Sequence, residues 1–340
     1  MVLTWGILGA GKISTEFVKA ISIVPKGEHQ VHAVAAQNLG RAQKFAADLG
    51  VTKAYGTYTE LANDKEIGMN LCAPFRSVIS RFYCNQHFEA TKLMLANGKH
   101  VLCEKPMTLN ATQTRELINL AKKKKLFLME ALWSRCFPVY DKLRSLIDSN
   151  VIGEVKYVTA QFGHAYKDME RITSKELGGG TILDLGIYTL QFVQFIYKGL
   201  TPLSIVAKGT LNENGVDESS SAMITYKDSK IAIVSTDARL ELSNEACIVG
   251  TKGIIKVPRF WAPETIITPT ETFHFELPKT NVQFRNEYLM GLSYEVLEVE
   301  KCIKMGLLEC PKITHAESLE LAQLMDKIRA DVGVIFDEDK

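Results

Sequence analysis

The chain has 340 residues, 46% of them hydrophobic and 23% charged, with 40 Lys+Arg against 39 Asp+Glu. That length sets a prior of about two domains, and the composition excludes a disordered chain. A formal net charge of +1 gives no global electrostatic case for nucleic acid or a membrane surface, and no uncharged apolar run approaches the ~18 residues of a membrane-spanning helix.

Met1 to Gly11 is apolar but lacks the basic region and cleavage site of a signal peptide. Leu3 to Leu8 reads as a short buried strand. Gly9-Ala10-Gly11-Lys12-Ile13-Ser14 follows, then a helical pattern with Phe17, Ala20 and Ile21 on one face. A strand, a glycine turn and a helix open a dinucleotide-binding βαβ unit. Gly9 allows the tight turn, and Gly11 lets the backbone approach a pyrophosphate. The phosphates would rest on the amides of the helix N-terminus, at Lys12 and Ile13. The third glycine of the fingerprint is Ser14 here. An ordinary glycine turn is the bland alternative; the order of elements favours a cofactor.

The next strand is Val31 to Ala36. Folds specific for NAD usually place a carboxylate at its end, on the ribose diol. This chain has Gln37-Asn38-Leu39-Gly40-Arg41 there. Nothing repels a 2′-phosphate, Gln37 and Asn38 offer hydrogen bonds, and Arg41 offers charge. NADP is therefore expected over NAD. The plain alternative makes Arg41 a solvated residue of the following helix.

Arg41–Leu49 and Tyr58–Asn63 read as helices. Ile67–Cys72 has strand character, although Gly68 and Asn70 suit a central strand poorly, and Phe75–Asn85 has no clean period. A helix resumes near His87 and runs to Asn97-Gly98. Strand His100–Cys103 ends at Glu104-Lys105-Pro106. Another helix finishes over Glu116–Lys125, and strand Leu126–Met129 runs into Glu130 and onward to Arg135.

From Val155 strands dominate: Val155–Phe162, Leu203–Gly209, Ser220–Tyr226, Lys230–Ser235, Glu245–Val249 and Gly253–Val257. Lys227-Asp228-Ser229 reads as a hairpin turn. Between the first two strands lies Gly178-Gly179-Gly180, then Asp184-Leu185-Gly186-Ile187-Tyr188, continuing as a helix to Tyr197. Helices Tyr294–Met305 and His315–Val332 close the chain. The seven cysteines are scattered, odd in number and form no CxxC pair or Cys/His cluster. They predict reduced thiols in a cytoplasmic setting and no metal site.

Gly9-x-Gly11, Glu104-Lys105-Pro106, Gly178-Gly179-Gly180 with Asp184-x-Gly186-x-Tyr188, and Gly250-Thr251-Lys252-Gly253 together resemble the glucose–fructose oxidoreductase/inositol dehydrogenase family. The resemblance spans nearly the whole chain. Thr4-Trp5-Gly6-Ile7, Val101-Leu102-Cys103, Phe127-Leu128-Met129-Glu130-Ala131 and Ser293-Tyr294-Glu295 are similar to its branch that oxidises dihydrodiols and D-xylose. It implies an α/β fold: an N-terminal Rossmann doubly wound parallel sheet over 1–130 that binds NADP. A C-terminal α+β domain over 131–340, with an open, mostly antiparallel sheet, would bind substrate and form a homodimer. Neither nucleic acid nor membrane is an expected partner.

Oxidising an alcohol requires a hydride to leave carbon and a base to take the hydroxyl proton. Lys105 ends a strand at the edge where such sheets bind ligands. Asp184 and Tyr188, four residues apart, share a face if the segment is helical. A free tyrosine titrates near 10, so a tyrosine base needs a neighbouring ammonium. The resemblance gives Tyr188 the proton, Lys105 the supporting charge, and Asp184 a substrate or lysine contact. Lys105 as the base is the opposite allocation. Many relatives carry His at the tyrosine position. The resemblance also places His87, Glu104 and Pro106 at the cofactor, Glu130 and Arg135 on its nicotinamide side, and Trp133, Phe162 and Phe284 in the substrate pocket.

The chain departs from the family between Asp64 and His87. The family expects a strand ending near Thr-Pro and then a nearby His; Cys72-Ala73-Pro74 is the stand-in, and the spacing to His87 is too wide. Either a loop is inserted or the strand is displaced. The alternatives are therefore another reductase of the family, or a cofactor-binding protein without turnover.

Overall fold

Short apolar runs alternating with amphipathic helices build the first sheet. The computed structural model describes residues 2–25, 27–72, 84–166 and 169–340. Strands β1 (Leu3–Leu8), β2 (His29–Ala35), β3 (Lys53–Tyr55), β4 (Met69–Cys72), β5 (His100–Glu104) and β6 (Leu128–Ala131) pair in parallel. Their order is β3-β2-β1-β4-β5-β6, so the winding reverses between β1 and β4, as in a Rossmann sheet. Helices α1 (Lys12–Ile23), α2 (Leu39–Leu49), α3 (Tyr58–Asn63), α4 (Cys84–Ala96) and α5 (Ala111–Lys124) make the crossovers.

Local chemistry sets the helix ends. The Asn38 side chain accepts from the Arg41 amide at the start of α2, and Gly50 closes that helix at φ 68°. Thr57 and Glu60 form a capping box on α3. Asn110 caps α5. Leu8, Ala33, Val101, Cys103, Leu117 and Leu128 lie in one buried core.

Strand β4 occupies a central place between β1 and β5. The ladders on both sides outweigh the poor propensity of its asparagine. The strand is therefore in the sheet and not displaced from it. The irregular stretch after it, from Ala73 to Tyr83, lies outside the described residues.

The second sheet contains β7 (Val155–Gly163), β8 (Ser204–Leu211), β9 (Asp217–Tyr226), β10 (Lys230–Asp237), β11 (Glu245–Gly250), β12 (Gly253–Pro258), β13 (Thr265–Ile267) and β14 (Thr272–His274). Their order is β14-β13-β12-β11-β7-β10-β9-β8. Only the β7–β10 pair is parallel. Asp228 and Ser229 both take positive φ in the β9–β10 hairpin, the twist a two-residue turn needs. Helices α6 (Pro138–Asp148), α7 (Glu170–Thr173), α8 (Ile187–Ile196), α9 (Leu292–Lys304) and α10 (His315–Val332) complete the set. Three-residue strands such as β3, β13 and β14 carry too few positions for a readable period.

One face of the second sheet is buried, with Ala222, Ile224, Ala232, Val158, Ala160, Ile248 and Ile255 pointing inward. The registers Val206↔Met223, Met223↔Ile233, Ile233↔Thr159 and Thr159↔Cys247 form a row on the other face. Val206 and Met223 there are exposed.

The chain forms two compact units, Met1–Trp133 with Leu277–Leu319, and Ser134–Glu276 with Glu320–Lys340. A single cut after residue 130 thus misses the return of 277–319 to the first unit. There the Arg285 amide donates to Glu16 Oε2 at 3.1 Å and Lys304 pairs with Glu28 at 2.7 Å. Among the described residues no helix is long and apolar enough to cross a membrane. Among the described residues, Cys84, Cys103, Cys136, Cys247, Cys302 and Cys310 stand outside any disulfide.

Candidate active site

Strand β1 stops at Leu8, and Gly9 turns at φ 92°, a conformation that only glycine takes without cost. Gly11 is the extended N-cap of α1. It supplies no side-chain cap, and the first turn holds no acidic residue. The first amides of this twelve-residue helix, including those of Lys12 and Ile13, therefore suit an anion. Ser14 is fully buried, so a small side chain stands where the fingerprint has its third glycine.

Gln37 and Asn38 are exposed at the carboxyl end of β2, on the same edge. Arg41 Nη2 donates to the Ala10 carbonyl at 3.3 Å, which brings the guanidinium to the glycine turn. No carboxylate occupies positions 36–41. This donor set fits the phosphates of a dinucleotide.

Further along that edge, Lys105 is buried just past β5 although it carries a charge. Two side chains fix the turn it sits on. The Met107 amide donates to Glu130 Oε1 at 2.8 Å. His87 Nδ1 lies 2.6 Å from the Pro106 carbonyl. Burial pushes His87 down to about 4, against the opposing pull of the Pro106 bond and with help from the Lys105 ammonium. The imidazole is neutral, and Nδ1 is its donor. His87 thus braces Lys105-Pro106 from α4. In the same unit Trp133 is buried in a 3₁₀ turn, and Phe284 is half-buried with the Lys19 ammonium 6.0 Å from its ring.

In the second unit the glycine run prepares a different element. Gly178 ends a short turn at φ 67°. A Cβ on Gly179 would come within 2.6 Å of the Ile172 and Ser174 carbonyls. Ile182–Gly186 then forms a π-helical turn that leads directly into α8. Such turns occur often at functional sites. Asp184 sits in the π-turn and Tyr188 in the first turn of α8, and both are buried. Asp184 makes an ion pair with Arg171 of α7. The sequence gives no sign of that partner, since the two residues are joined by no motif.

The Tyr188 ring meets Phe162 edge-on at 5.6 Å. Phe162 in turn stacks on Trp261 at 4.0 Å and 11°. Trp261 follows β12 in a segment without periodicity, so sequence reasoning missed it. Arg135 is directed into the protein: it donates to Gln191 Oε1 at 2.6 Å, the Gln191 carbonyl at 3.0 Å and Gln194 Oε1 at 3.2 Å. It braces α8, a role the sequence analysis had not given it. Among the described residues, two groups of ligand-type side chains lie elsewhere, Glu298–Cys302–Cys310 and His32–Asp64–Glu66. The second already holds the Lys53 ammonium.

Residues 3–132 match the oxidoreductase family with an NAD-binding Rossmann fold, Gfo/Idh/MocA, and residues 140–256 match the Gfo/Idh/MocA C-terminal domain. The chain belongs to the Gfo/Idh/MocA oxidoreductase family. Its curated relatives in that family include the trans-1,2-dihydrobenzene-1,2-diol dehydrogenase of Xenopus tropicalis, 42% identical over 337 residues, covering 99% of this chain and 100% of the relative. The enzyme of the same name from Sus scrofa is 39% identical over 342 residues, 100% of both. Levoglucosan dehydrogenase, solved with NADH and levoglucosan, superposes with a TM-score of 0.83 at 16% identity over 97% of both chains. KijD10, a 3-ketoreductase from Actinomadura kijaniata solved with NADP and TDP-benzene, gives 0.79 at 22% identity over 99% of both. At those identities the two structures establish the shared fold. This Gfo/Idh/MocA member is an oxidoreductase with a Rossmann domain of the NAD(P)-binding type.

Proposed function

We propose that the protein is an NADP-dependent dehydrogenase that oxidises a trans-dihydrodiol or an aldose of the D-xylose type. One observation carries the reading. Lys105, Asp184 and Tyr188 are all present in a chain that matches dihydrodiol dehydrogenases over their full length. NADP is favoured because Arg41 reaches the glycine turn and no carboxylate follows β2.

When bound, the nicotinamide dinucleotide supplies the hydride acceptor. The chain must handle the proton. Tyr188 is assigned as the base that takes the substrate hydroxyl proton. Lys105 carries the positive charge that favours the phenolate and anchors the substrate oxygen. Asp184, held by Arg171, offers acceptor oxygens to a second substrate hydroxyl. Phe162 and Trp261 supply an apolar wall for a ring, and Trp133 and Phe284 are the other proposed pocket positions. Placement of β4 beside β1 supports turnover over a cofactor-binding protein that has lost it. The proposal includes a cytoplasmic homodimer formed by the open face of the second sheet.

Fluorescence titration with NADPH and with NADH, followed by assays on trans-dihydrobenzenediol and D-xylose, tests the reading. Tight NADPH binding with oxidation of either substrate is expected. Absence of turnover on both, with NADPH bound, would leave the binding-protein alternative; absence of NADPH binding would sink the proposal.

A further inference from the structure

Asp217 is 1% exposed at the first position of β9, far along the chain from the π-turn. Its Oδ2 accepts from the Thr181 hydroxyl at 2.6 Å and from the Ile182 amide at 2.8 Å. Those two donors stand at the residue before the π-turn and at its first residue. The Thr181 hydroxyl also meets Thr236 Oγ1 at 2.8 Å, which meets Ser220 Oγ at 2.8 Å. On the other side, a Cβ at Gly180 would lie 2.3 Å from Asp217 Oδ1, and Gly180 has φ +111°. One buried carboxylate therefore fills the space the glycine leaves and ties β9 and β10 to the start of the π-turn.

We propose that Asp217 is a positioning residue: it sets the geometry of the π-turn, and through it the placement of Asp184 and Tyr188. The role in turnover rests on the proposed dehydrogenase reading; the role in the turn does not. A π-turn has few hydrogen bonds of its own geometry to fall back on, so an outside acceptor for its first amide fixes where it begins. A small shift there moves the reacting hydroxyl, and misplacement of about 1 Å costs up to ~10²-fold in rate.

Titration supports the geometry. Burial pushes the Asp217 carboxyl up to about 7, against the Thr181 hydroxyl and the neighbouring amides that favour the charged form. Charged groups on the packed elements are Glu218 on its own strand, Lys208 on β8, Asp237 at the end of β10 with Arg239 just after it, Arg171 on α7 and Asp184 in the turn. Arg239 pairs with Asp237 and Glu218, and Arg171 with Asp184. Because the buried carboxyl ionises less readily than an exposed one, ionisation favours the opened turn, and the hold of Asp217 on it weakens as pH rises towards 7.

Three variants test this: Asp217→Ala, Asp217→Asn and Thr181→Val. NADPH affinity should stay within about twofold in each, because the residues assigned to the dinucleotide phosphates all belong to the first unit and Asp217 and Thr181 to the second. Asp217→Ala should lower kcat by about 10²-fold with a smaller change in KM, and Asp217→Asn should recover part of it. Hydrogen exchange of the 181–188 peptide, corrected for intrinsic rates, should show protection that falls as pH rises towards 7 in the wild type. That fall should be absent in Asp217→Asn. If Asp217→Ala does not fold, Thr181→Val reports the same loss of protection and kcat. Wild-type kcat in Asp217→Asn, together with an unchanged exchange profile, would overturn the proposal. If the wild type oxidises neither a diol nor an aldose, the dehydrogenase reading fails. The exchange arm then still decides whether Asp217 sets the turn.

Discussion

At Tyr188 the proposed chemistry rests on one hydroxyl, packed edge-on to Phe162. Tyr188→Phe keeps the ring and its packing. Loss of a general base typically costs 10²–10⁴-fold, so turnover should fall by about that factor while NADPH affinity stays within a few-fold. Steady-state kinetics beside a fluorescence titration will check both halves. Arg41 makes the opposite kind of prediction. A charge-assisted bond contributes about 1.5–3 kcal/mol, so Arg41→Ala should weaken NADP by roughly tenfold or more. NAD, which lacks the 2′-phosphate, should bind nearly as before. Equal losses for the two cofactors would mean that the residue serves the Ala10 turn alone.

Among the elements, the glycine run before α8 is tightly constrained. Gly180 combines φ +111° with a neighbouring carboxylate oxygen at 2.3 Å from any added Cβ. Gly180→Ala should destabilise the protein by about 1–3 kcal/mol from the backbone conformation alone. Urea denaturation should show a lower midpoint at unchanged slope. Gly199 offers the control, since it also has positive φ but nothing within 4 Å of an added Cβ. Its alanine variant should lose less.

For the whole molecule, the open sheet face and the acid side of the stability curve are the testable features. Val206 is 54% exposed, Ile254 45% and Met223 43%, on a face whose neighbours Ile231 and Ile233 are half-buried. Apolar patches of this kind are covered in assemblies. Sedimentation velocity should find a dimer at micromolar concentration, and Met223→Glu should shift it towards monomer. The acid prediction concerns His87, whose folded value is depressed from 6.5 to about 4. Between those values the unfolded chain takes up a proton that the native imidazole refuses. Stability from His87 is therefore present above 6.5 and is lost as pH falls towards 4. His87→Gln should flatten that part of the curve in thermal melts across pH. Asp217, raised to about 7, contributes the reverse slope, stabilising below 3.8 and losing that contribution as pH rises.

Read alone, the sequence determined the local elements and the motif positions. Strand Leu3–Leu8, helix Tyr58–Asn63 and helix His315–Val332 carry their bounds in apolar period and end chemistry. The glycine turn announces itself because few residues can take φ 92° at Gly9. Partners distant along the chain left no such trace. Arg171 on Asp184, Trp261 on Phe162, His87 on Pro106 and Asp217 on Thr181 are set by how strands and helices stack. A period of 2 or 3.6 says which residues share a face, but not what that face meets. Ile231 and Ile248 read alike in the sequence; register put Ile231 on the open face and Ile248 in the core. Strand β4 looked too poor to be central until β1 and β5 supplied its hydrogen bonds. The π-turn, finally, depends on a carboxylate from another strand, and only tertiary structure brings the two together.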